Sequence, residues 1–282
     1  MPVARWAFPI VALFILGPAV GLATAWMRSP GGGTDASALL CTAPLVGISS
    51  AMLAVVIATV AGLIAGRVCD IRTGSLVAGF TLAWAALRTG ELGGIIRPYE
   101  AEVVFTRLAI EGALICTVMT IAAAVLLRFS RDFEGQPLRS PDAPPLREAL
   151  KASSTLLAMI VGVLAALAAA WLIARTDAKG QTIIAAIAAG IAAPAAGKLV
   201  AAGMGEDPPI EVFYMSITLA AIISPIVVLV TQGSTAEHDL FANRLFAPAL
   251  ILPLDWAVGA LIGVPIGARW VQGSIDRRLV AD

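Results

Sequence analysis

Asp255 is the single charged residue among the 24 that separate Arg244 from Arg269, in the run ILPLDWAVGALIGVPIG. Twenty-four helical residues reach about 36 Å, and the hydrocarbon core of a bilayer is about 30 Å thick, so the stretch reads as one membrane span with Asp255 near its middle. An ionised carboxylate at that depth costs roughly 2.5–3.5 kcal/mol, and it therefore calls for a counter-charge, a proton or water. The chemistry open to it is binding of a cation or a proton. Gly259, Gly263 and Gly267 follow at four-residue spacing. They form a small-residue face of the kind that packs against another helix. A dry reading of the same residue is a buried hydrogen-bonding group that faces a Ser, Thr or Arg of a neighbouring helix.

A second polar group lies at residues 88–111, which hold Arg88, Glu91, Arg97, Glu100, Glu102, Arg107 and Glu111, with Pro98 against a continuous helix. Arg107 and Glu111 are four apart and share a helix face, so they are expected to pair at an outer interface. Asp255, Glu111 and Arg107 are the candidate ion- or substrate-binding residues.

Other chemistries find little support. The stretch from Gly190 to Lys198 resembles a phosphate-binding loop, but its glycine spacing is wrong and Leu199 stands where Ser or Thr is needed. An intramembrane aspartate dyad would need a second acid level with Asp255, and Glu111 is expected nearer the interface. Glu237-His238-Asp239 reads as a solvated loop, and a lone histidine builds no histidine metal site. Cys41, Cys69 and Cys116 are not at redox or metal spacing. No catalytic residue, metal site or cofactor is expected, and nothing in the residues argues for an enzyme. Zero net charge removes a basic surface for nucleic acid.

These residues need elements to hold them, and composition says which. The 282 residues are 59% hydrophobic and 13% charged, with a mean hydropathy of +0.90. Soluble domains carry about 25% charged residues, so the expectation is an all-α polytopic transmembrane bundle in a lipid bilayer. Eight spans are readable. The first, Trp6 to Met27, carries the small-residue positions Gly17, Gly21 and Ala25; a cleaved signal peptide is the other reading, and the run is long for one. The second lies within Leu39–Gly66, with Ala58, Gly62 and Gly66 as its packing stripe. The third, Thr73 to Leu87, is short. The fourth covers Leu108–Leu127, the fifth Ala152–Ala174, the sixth about Gly180–Gly197 with Pro194 inside, and the seventh about Val212–Val230 with a bend near Pro225. The Arg244–Arg269 stretch is the eighth.

Residues 128–151 hold four prolines and the longest polar run, which divides the chain into membrane halves at 1–127 and 152–282. With both termini cytoplasmic, twelve Lys and Arg fall on that side against seven on the other, in line with the positive-inside rule. Short landmarks recur between the halves: Trp26…Arg28 with Trp171…Arg175, Gly66-Arg67 with Gly197-Lys198, and Arg107-Leu108 with Arg244-Leu245. Two parallel four-helix repeats would produce them, and Asp255 would then have no acidic counterpart. Two functions fit: a transporter-like or channel-like protein for a small solute or ion, and a non-catalytic scaffold or assembly subunit with a homo-oligomeric or membrane-complex partner.

Overall fold

The computed structural model describes residues 2–131 and 146–281, with side chains for 5–131 and 146–273. Most of the polar stretch 128–151 (residues 132–145) lies outside the described residues. The described chain is helical, without strands. Eight long helices form the bundle: α1 (Arg5–Trp26), α2 (Pro44–Val68), α3 (Ile71–Arg88), α4 (Ala101–Phe129), α5 (Ser153–Ile173), α6 (Lys179–Ala202), α7 (Glu211–Thr231) and α8 (Pro253–Ala281). Seven are long and apolar enough to cross a membrane, and the protein is a multi-pass integral membrane protein. The other is α3, which keeps Thr73, Ser75 and Thr81 buried against its neighbours instead of turning an apolar surface all round.

Close approaches give the directions. Gly62 of α2 lies on Gly74 and Ala78 of α3, and Gly66 lies on Gly74, so α2 and α3 are antiparallel. On α1, Gly17 and then Gly21 meet Trp84 and Arg88 of α3 in the same order, so those helices run parallel. Helices α6 and α8 are also parallel: Gly259 lies on Ala186, Gly263 on Ile187 and Gly190, and Gly267 on Ile191. Across the two halves, α3 packs on α8 and α7 packs on α4. The starts of α2, α4, α6 and α8 share one end of the bundle.

Helix α8 is the axis. Every residue from Ile251 to Pro265 is buried, whereas α1 and α5 turn Trp6, Phe14, Ile160 and Leu164 outward as a lipid-facing surface. The expectation of one span running from Arg244 is overturned, because α8 begins only at Pro253. Pro248 and Pro253 supply no backbone donor and suit the first turn of a helix. The chain accordingly makes one 3₁₀ turn at Ala247–Leu250 and goes extended at Ile251 before the helix starts. Asp255 is in the first turn of its helix.

Helix α1 carries a local irregularity with a readable cause. Its Ala12–Leu16 turn is π-helical, with the Gly17 N–H bonded to the Ala12 carbonyl. The next donor in that register would come from residue 18, which is proline. The Trp84 indole N–H donates to the Leu13 carbonyl instead, at 2.7 Å, and ties α1 to α3.

Candidate functional site

The late start of α8 creates the site. Asp255 occupies the third helical position, and its carboxylate accepts the N–H of Leu252, the residue before Pro253, at 3.3 Å. That is the backward half of a capping box, and a carboxylate there also meets the positive end of the helix dipole. Two residues of α6 complete the arrangement: Thr182 Oγ1 donates at 2.9 Å, and Lys179 Nζ stands 3.3 Å away as an ion pair. The carboxylate is fully buried and the Lys179 side chain is 11% exposed. The partners of Asp255 are therefore a threonine and a lysine at the start of the neighbouring helix.

Depth follows from the neighbours. Cys116, near the middle of α4, has its Sγ 3.6 Å from the Pro253 carbonyl. Helix α8 therefore begins level with the first turn of α6 and with the middle of the longer α4. The chain leading to it, from Leu245 to Leu252, is buried except for a part-exposed Phe246. Non-helical backbone at such depth persists only where protein or water covers it.

Glu111 and Arg107 do not pair with each other. Helix α4 starts at Ala101, about two turns before the expected Leu108, so both residues lie well inside it. Glu111 is buried and accepts from the Ser37 hydroxyl and the Leu39 N–H, both at 2.8 Å. Arg107 donates to the Leu39 carbonyl at 3.3 Å and lies over the Tyr99 ring. Together they hold the 37–39 peptide, part of a second non-helical segment, 36–41, buried except for a part-exposed Leu39 and lying ahead of α2. Each acid thus binds the backbone of a non-helical segment: Glu111 that of Leu39 and Asp255 that of Leu252.

The stripe below Asp255 is closed. A Cβ on Gly259 or Gly267 would collide with the α6 backbone, and one on Gly263 would stand 2.5 Å from the Ile187 carbonyl. Gly62 and Gly66 serve the α2–α3 contact and Gly17 and Gly21 the α1–α3 contact, away from the acids. Just past Asp255 the Trp256 indole N–H is buried without a partner, as are the hydroxyls of Thr81 on α3 and Ser224 on α7.

Lys179 escaped the sequence reading because a lysine at the edge of an apolar run ordinarily ends a span and snorkels. Its one signal was a lone acid elsewhere that needed a cation. Among the described residues no group of His, Cys, Asp and Glu could hold a metal ion. Asp239, beside His238, is engaged by Gln232, Thr235 and Arg244. No protein family matches the chain, and neither curated proteins nor solved structures give a significant match.

Proposed function

We propose that the protein is a transporter-like or channel-like membrane protein for a small solute or ion, in which the Lys179–Asp255 pair is the element whose charge state changes. One observation carries the reading. A fully buried carboxylate, paired with a largely buried ammonium, sits in the first turn of a helix next to buried non-helical chain. Buried charge is costly and interrupted helices are where transporters place their substrates and coupling ions. The unpartnered hydroxyls of Thr81 and Ser224 and the Trp256 N–H add polar groups with capacity to spare on three central helices. The test is cation and proton flux into proteoliposomes under an imposed gradient. The neutral pair K179Q/D255N should fold and be inactive; flux equal to the wild type would sink the proposal.

A second reading, a scaffold or assembly subunit, draws on the enclosure of Asp255 and the closed α6–α8 stripe. It requires a stable larger complex on mild-detergent extraction, retained by K179Q/D255N and lost in G263L. For orientation we adopt the cell membrane with both termini cytoplasmic, supported by the twelve-to-seven charge asymmetry. An impermeant maleimide should then label E237C, and not E206C, from outside intact cells; the reverse pattern inverts the topology.

A further inference from the structure

At the Asp255 end of the bundle is a cleft of about 240 Å³ between the end of α5, the turn into α6 and the chain from Leu240 to Leu250. Its charged lining is Arg175 and Arg244 against a single acid, Asp177. One oxygen of Asp177 already accepts the Gly93 N–H at 2.7 Å. Arg244 stands 3.6 Å from one oxygen of Asp239, outside the cleft, and that carboxylate's other oxygen serves Gln232 and Thr235. Two guanidinium groups thus face one lining carboxylate, and Asn243 adds an amide at the edge of the cleft. The floor is apolar: Leu240, Leu245 and Leu250. Trp171 forms one lip and is 51% exposed on α5, the helix with an outward apolar face, and Arg175 lies over its ring.

The geometry points to a binding site for a phosphate- or carboxylate-type anion carried on an apolar body, with Arg175 and Arg244 on the anion and the leucine floor under the body. Guanidinium groups are suited to such anions because their fixed donors match two oxygens at once. A tryptophan beside arginines at a helix end is what the head-group layer of a membrane favours. The same chemistry is offered by an anionic lipid or by a free amphipathic anion. The site stands on its own lining and does not depend on the transport reading.

The test uses the full chain in nanodiscs, as wild type, R175Q, R244Q, R175Q/R244Q and the control R67Q at the opposite end. One arm counts phosphatidylglycerol adducts by native mass spectrometry in mixed phosphatidylglycerol–phosphatidylcholine discs. The other titrates soluble butyl phosphate calorimetrically in discs of phosphatidylcholine alone. Each single arginine change should weaken binding about tenfold, as expected for loss of a charge-assisted hydrogen bond, with the double variant losing it. R67Q should match the wild type, and thermal melts should be equal across the set. Binding in the lipid arm alone identifies a lipid site and binding in the soluble arm identifies a solute site, and either supports the assignment if the arginine variants lose it. Absence of binding in both arms, or binding that R175Q/R244Q keeps, overturns it.

Discussion

At the scale of single residues, the pairing of Asp255 with Lys179 sets what each substitution does. Removing one partner leaves the other charge buried and uncompensated, which costs about 3–5 kcal/mol, while replacing both with uncharged groups is often close to neutral. D255N alone should therefore lower the thermal stability of the detergent-solubilised protein markedly, and K179Q/D255N should recover most of it. Equal melting of D255N and the wild type would mean that the pair does not hold the helices. The cysteines give an independent check. Burial pushes the Cys41 thiol above its ordinary value, and the thiolate is the reactive form. Its labelling should thus set in only at higher pH than for an unperturbed thiol. At pH 8, peptide mass spectrometry should find the half-buried Cys69 modified well before Cys41; equal rates would show that segment 36–41 opens. The acid of the site was legible in the sequence as a charge in an apolar run. Its cation was not, because Lys179 is 76 residues away and only the fold brings it to Asp255.

At the scale of helices, the four-residue glycine spacing was legible because small residues at that period can serve as a helix-packing face, although the spacing does not name the helix opposite. That helix is α6, and the approach leaves no room for a side chain at Gly259 or Gly267. Overfilling a packed contact costs typically about 1–3 kcal/mol, and more where backbone is the obstacle. G259L and G263L should each sharply reduce the yield of monodisperse protein, while G180A, whose Cβ would meet nothing within 4 Å, should behave as wild type. W84F would leave the Leu13 carbonyl without its indole donor, at a cost of about 1–3 kcal/mol. Hydrogen exchange around Ala12–Leu16 is the measurement, and unchanged protection there would argue against the latch. The late start of α8 was hidden for a physical reason. Hydropathy does not distinguish an apolar helix from apolar chain buried by protein, and only Pro248 and Pro253 marked the difference. The same holds for segment 36–41, whose cover comes from α4 and from the Gly90 N–H, which bonds the Ala36 carbonyl.

At the scale of the whole molecule, we propose that halves 1–127 and 152–282 are parallel repeats about an axis along the membrane normal. Such an axis exchanges the α3–α8 contact with the α7–α4 contact, and both are present. Cys116 and Pro253, which meet, are as far apart in sequence as Arg107 and Arg244. These cross-half contacts should allow residues 1–131 and 146–282, made as two chains, to assemble and co-purify; failure to associate would count against an interface that stands without the connector. The central place of α8 has a consequence for how the protein is built. It is the least apolar of the seven membrane-length helices and the most enclosed, yet it is synthesised after the other seven long helices. Lipid is a poor resting place for a helix with an acid in its first turn, so the earlier helices must keep a slot open and receive α8 directly. Assembly of this bundle closes from the outside inward, and a nascent chain stalled before Pro253 would present the insertion machinery with a ring that lacks its centre.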